Sequence, residues 1–128
     1  MNINIKTIPH SKQRYNTVGD YDSVDINCGV NISISGLRNW KYELLVAVHE
    51  LIELSLCYHR DIPEEIITKF DMDFEKAREE TSLLQGEPGD AAGCPYRKEH
   101  FFATSIERLL AAELGVDWEK YEKTINDL

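Results

Sequence analysis

An α+β fold is predicted by three features of the sequence. Strand-like alternation is confined to the first third, helix-like apolar spacing begins at Asn39, and the apolar content suffices for one core. At 128 residues and 42% hydrophobic, the chain has the size and composition of one domain. The expected architecture is a small N-terminal antiparallel sheet packed on three longer helices and a short C-terminal helix. It forms a single domain over 1–128, with a β-rich part at 1–36 and a helical part at 39–128 that carries the site.

The strands come first. Residues 2–6 (Asn-Ile-Asn-Ile-Lys) alternate with period two, as do residues 30–35 (Val-Asn-Ile-Ser-Ile-Ser), which Gly36 closes. Between them, Val18, Tyr21 and Val24 stand around turn-forming pairs and predict a turn-rich middle strand over 15–26. Residues 40–59 contain no Gly or Pro and are rich in Leu, Ala and Glu, which predicts the first helix. Asp61 as N-cap, Pro63 in the first turn and Glu64 three residues on predict a second helix running to about Ser82. Three glycines and Pro88 make residues 85–93 a loop. Pro95 opens a third helix that ends at Leu114 before Gly115, and Asp117 caps a fourth.

Fourteen basic against 23 acidic residues give a net charge of −9, the wrong sign for wrapping a phosphate backbone, so nucleic acid is excluded as a first reading. The acidity suits solubility or a basic protein partner. Cys28, Cys57 and Cys94 are an odd, widely spaced set without a CxxC pair, which fits a reducing compartment better than a disulfide framework. No segment approaches the roughly 18 apolar residues of a membrane span, and the opening residues do not read as a signal peptide. The expectation is a soluble, cytoplasmic protein without membrane contact.

The chemistry is concentrated at His49-Glu50-Leu51-Ile52-Glu53. Leu44, Leu45, Val46, Val48, Leu51, Ile52, Leu54 and Leu56 make the first helix apolar nearly all round, so most of it is expected to be buried. At about 100° per residue, Glu53 lies about 40° from His49 on the same face, and Glu50 about 100° round. Two carboxylates and an imidazole buried without partners would be costly, and a cation is an economical compensation. The third helix is interrupted in the same way. Its apolar arc (Phe102, Ala103, Ile106, Leu109, Leu110) holds Glu99, with His100 and Glu107 along one border. Packed across the first helix at the small Ala103, it brings His100 or Glu99 opposite His49 and Glu53. Such a set, with a fourth position left to water, is what a catalytic zinc needs, and Glu50 is then placed as general base.

His49-Glu50-Leu51-Ile52-Glu53 resembles the H-E-x-x-H helix of zincin metallopeptidases, whose histidines bind zinc and whose glutamate is the base. The order of a small sheet, a site helix and a later ligand-bearing helix, across about 30–114, is also similar to the small zincins, including the ImmA/IrrE-like peptidases. The sequence departs from the motif at Glu53, where the family has its second histidine. In gluzincin-like members the third ligand is a later glutamate, so an exchange of roles between Glu53 and His100 restores two histidines and one carboxylate. The resemblance implies a metal-dependent hydrolase of peptide or protein substrates, with Glu50 catalytic and His49, Glu53 and His100 as ligands. Zn2+ is the implied metal, and the carboxylate oxygen also suits Mn2+ or Fe2+. Glu99 and Cys94 stand as additional ligand candidates.

The rival reading is a non-catalytic acidic binding protein of phage or mobile-element type. It has a structural metal at the same residues, or an ion-pair cluster in which Glu50 and Glu53 meet Arg97 or Arg108. Cys57 is expected to be a small buried hydrophobe and Cys28 to belong to the sheet. His10 and His59 are expected to be solvated, and Trp40, Trp118 and Tyr121 to be core anchors. The acidic residues of the second helix, Glu75 among them, read as a solvated face, and the loop at 85–93 as a connector or a rim beside the cleft.

Overall fold

The structure, a computed structural model, describes residues 1–128 except for the side chains of Ser23 and Val24, so the packing expected of Val24 lies outside the described residues. The chain runs β1 (Ile3–Ile8), β2 (Gly19–Asp25), β3 (Gly29–Ser35), α1 (Trp40–His59), α2 (Glu64–Thr81), α3 (Arg97–Glu113) and α4 (Trp118–Asn126). Single 3-10 turns lie at His10–Lys12 and Pro88–Asp90. This is the α+β class expected from the pattern.

The sheet departs from expectation in strand direction. Its order is β1-β3-β2, with β2 antiparallel to β3 but β1 parallel to it, Ile3 opposite Val30 and Ile8 opposite Ser35. A tight turn at residues 26–28 forces β2 and β3 to run antiparallel. β1 instead enters from the far edge, and the ten-residue segment to β2 has length enough to cross over. Cys28 stands exposed in that tight turn and not within a strand. The alternation of β3 buries Val30, Ile32 and Ile34 against the helices, whereas β1 is mostly exposed, Ile5 included.

α1 begins where the Asn39 side chain accepts from the Lys41 amide. It buries Leu45, Val46, Ala47, Leu54 and Cys57, while Leu44 reaches solvent. Trp40, expected in the core, is 63% exposed, because it occupies the first turn of α1 before the helix reaches the sheet. α1 ends in a Schellman arrangement: the Ile62 amide bonds the Cys57 carbonyl and the Asp61 amide the Tyr58 carbonyl, with Asp61 left-handed at φ 55°. Asp61 therefore closes α1 and does not cap α2, whose N-cap is Pro63 with no side-chain cap bond. The Gly115 turn repeats the arrangement at the end of α3, and Asp117 caps α4 by accepting from the Lys120 amide.

α3 packs antiparallel along α1, with Ala103 wholly buried at the crossing. β2 and β3 cover a second side of α1. These packings leave one face of α1, carrying His49, Glu50 and Glu53, between β2, α3 and the 85–93 loop.

Candidate metal centre

A cleft of about 490 Å3 runs past this face of α1 and includes Gly19, Tyr21, Glu50, Glu87, His100 and Trp118 in its walls. At its floor His49 Nε2, Glu53 Oε2 and His100 Nδ1 converge, at 3.2 Å between His49 and Glu53, 2.9 Å between His100 and Glu53, and 3.2 Å between the two imidazoles. All three side chains are buried. Ligands about 2.0–2.1 Å from a tetrahedral zinc lie about 3.3 Å from one another. The triangle is thus within a few tenths of an ångström of what Zn2+ would require, and these three residues form a group able to hold a metal ion.

The atoms behind the ligands decide their orientation. His49 Nδ1 faces Glu107 Oε2 at 2.8 Å, and Glu107 in turn accepts from the Tyr121 hydroxyl. His100 Nε2 faces Glu87 Oε2 at 3.2 Å and Asp90 Oδ1 at 3.4 Å. Tyr21 donates to the other carboxylate oxygen of Glu53 at 3.0 Å. Each ligand is therefore held from behind by a separate element, which is how metal ligands are oriented and their tautomers fixed. The outer nitrogens of both imidazoles face carboxylate acceptors, so with an ion at the centre the inner nitrogens would be free to present lone pairs to it. Without an ion, a proton on an inner nitrogen bridges to Glu53 instead.

Electrostatics agree with strong coupling inside this buried group. Burial raises the Glu53 carboxyl, but its hydrogen bonds to His100 and His49 overcome that and hold it down at about 2. Burial likewise opposes protonation of His100, yet the carboxylates of Glu53 and Glu87 push its pKa up to about 10. Glu50 behaves differently: burial first, then the neighbouring charge of Glu53, pushes its carboxyl well above the usual range. Its side chain lies so close over the β2 backbone that a Cβ on Gly19 would stand 2.5 Å from Glu50 Oε1.

Of the residues singled out from sequence, the fold brings together His49, Glu53 and His100, with Glu50 in the same cleft wall. Glu99 turns away and pairs with Arg60 at 2.7 Å, and Cys94 is buried outside the ligand group. Arg97 bonds the Asp90 carbonyl and stacks on Phe101, while Arg108 stacks on Trp118 near Glu122, so among the described contacts neither reaches Glu50 or Glu53. His10 is not simply solvated: it bonds the buried Ser35 hydroxyl at 2.9 Å and Asn16 at 3.1 Å. Glu75 is buried beside Arg78 and does not belong to a solvated face.

The sequence reading missed Tyr21, Glu87, Asp90 and Tyr121 as partners and gave Glu107 no role. Glu107 lies seven residues from His100 on the same border of α3, and that shared face is what carries it to His49. Glu87 and Asp90 sit on a loop and carry no periodic signal. No family model, curated protein or solved structure matches this chain. Among the described residues, no helix is long and apolar enough to cross a membrane.

Proposed function

We propose that the protein is a zincin-like metal-dependent hydrolase acting on peptide bonds, with His49, Glu53 and His100 as metal ligands and Glu50 as general base. The observation that carries this reading is the convergence of three buried ligand atoms on one point, each side chain held from behind by a different element. Zn2+ bound there would polarise a carbonyl and acidify water, and the mixed nitrogen and oxygen donor set also admits Mn2+ or Fe2+.

The chain's own residues then divide the work. With an ion bound, His49 and His100 would be neutral and oriented through Glu107 and through Glu87 with Asp90, while Tyr21 holds Glu53 so that a single carboxylate oxygen faces the site. Glu50, outside the ligand triangle, is free to take the proton from the attacking water and pass it to the leaving amine nitrogen. The acidic walls of the cleft favour peptide substrates of basic or neutral character. Three free cysteines, one of them exposed, suit a reducing, cytoplasmic setting.

One observation favours a non-catalytic reading. With both imidazoles protonated, the same side chains close into a buried ion-pair network of His49 and His100 with Glu53, Glu107 and Glu87. Such a core would serve an acidic binding protein, for instance one engaging a basic partner. Glu50→Gln separates the two. In the enzyme, zinc content and thermal stability survive the substitution, while cleavage in a peptide-library screen falls by about a hundredfold or more. A wild-type protein that takes up no metal by elemental analysis and cleaves nothing leaves the ion-pair reading in its place.

A further inference from the structure

We infer that the 3-10 turn Pro88–Asp90, with Glu87 before it, is the positioning device of the metal centre, and that it makes Nδ1 the metal-binding atom of His100. The inference rests on the metal-centre reading and goes beyond it by assigning a role to a loop and opposite tautomers to the two histidines.

Three contacts fix the His100 ring. Glu87 and Asp90 both face Nε2, at 3.2 and 3.4 Å, so that nitrogen has two carboxylate acceptors and keeps its hydrogen. Nδ1 points the other way, at Glu53 and His49. Between them, the buried Gly89 lies flat on the ring: a Cβ there would stand 2.3 Å from His100 Cγ and 2.4 Å from Nδ1, a collision no side chain could avoid. The turn itself is closed by the Asp90 amide bonding the Glu87 carbonyl at 3.1 Å, and is tied to α3 by Arg97 donating to the Asp90 carbonyl at 3.3 Å.

His49 is held in the opposite sense. Its Nδ1 hydrogen goes to Glu107 at 2.8 Å, leaving Nε2 toward the centre. One metal ion would therefore be bound through Nε2 of one histidine and Nδ1 of the other. Glu87, Gly89 and Asp90 are positioning residues, acting on the metal through His100 alone.

The test uses the full chain and Zn2+. In the zinc-loaded wild type, long-range 1H–15N spectra of the imidazoles should show His100 protonated at Nε2 and His49 protonated at Nδ1. Zinc affinity, measured by competition with a chromogenic chelator, should fall about 10- to 100-fold in Glu87→Ala/Asp90→Ala, the usual effect of removing the groups behind a ligand. Glu87→Gln, whose amide oxygen still accepts, should keep the wild-type tautomer.

Gly89→Ala should lose affinity to at least the same degree. Gly93→Ala, in the same loop with nothing within 4 Å of the added methyl, should bind as wild type does. His100 protonated at Nδ1 in the loaded protein, or equal zinc affinity in the double variant and the wild type, overturns the inference while leaving the metal centre standing. Uptake of a second equivalent that vanishes in the double variant also overturns it, by putting an ion on Nε2. A wild type that binds no zinc removes the metal centre and the inference together. The wild-type spectra decide the tautomer even if Gly89→Ala does not fold.

Discussion

Gly19 shows how much of the site depends on single atoms. Glu50 can lie where it does only because the β2 backbone carries no side chain at the point of approach. A methyl at 2.5 Å from Oε1 and 2.7 Å from Cγ must displace the carboxylate, since real Cβ contacts do not come so close. In Gly19→Ala the expected result is loss of turnover with zinc content preserved, because the three atoms nearest the added methyl all belong to Glu50. Parallel loss of zinc, measured on the same preparation, would mean that Glu50 supports the ligand set and is not a separate base. This contact was not legible in the sequence. Gly19 read as a turn residue beside Asp20, since nothing local announces that a helix from elsewhere will press on it. The ligands were legible for the opposite reason, as charged residues interrupting otherwise apolar helices. Their orienting partners were not, because Tyr21 lies on a strand and Glu87 on a loop.

At the level of elements, the helix starts and stops were largely readable because they are local chemistry. Asn39, Asp117 and Gly115 do what their residue types suggest. The junction between α1 and α2 was misread in one respect: Asp61, a good N-cap residue in isolation, is needed two residues earlier to end α1 in a left-handed conformation. A left-handed L-residue is strained by about 1 kcal/mol, somewhat less for aspartate. Asp61→Gly should therefore stabilise the protein by up to about 1 kcal/mol, visible as a rise of a few degrees in the thermal midpoint. A lower midpoint would show that Asp61 does cap α2. Strand direction was beyond local reading. The alternation of β1 is the same whichever way it pairs, and its partner lies 27 residues along the chain, at Val30 for Ile3.

For the molecule as a whole, the buried carboxylate of Asp71 links stability to pH. Burial pushes its carboxyl up to about 7, although the Tyr96 and Tyr15 hydroxyls both donate to it and pull the other way. The folded protein thus retains a proton that the unfolded chain, with an aspartate near 4, has already released. The folded state binds more protons across that window, so the contribution of Asp71 is fully present below about pH 4 and is lost as pH rises to about 7. The loss amounts to at most a few kcal/mol. Urea unfolding at pH 4.5 and pH 8 should show a smaller fall in stability for Asp71→Asn than for the wild type. Identical falls in the two proteins would place the proton elsewhere. Asp71 escaped the sequence reading because one aspartate on an otherwise amphipathic helix looks solvated. Only the convergence of Tyr15 from the β1–β2 connection and Tyr96 from before α3 buries it.

The parallel pairing of β1 also bears on the order of events during folding. The β2–β3 hairpin closes across three residues and can zip as soon as its turn forms, whereas β1 has to wait for β3 and then span a much longer loop. β1 and β2 are both edge strands, but β2 also packs on α1 whereas β1 is mostly exposed, so β1 is the strand that peels away first in transient opening. The part of the sheet that touches the metal centre, through Tyr21 and Gly19, belongs to the early, locally closed hairpin. Fraying at β1 can therefore come and go on its own timescale while the wall behind Glu50 and Glu53 keeps its shape.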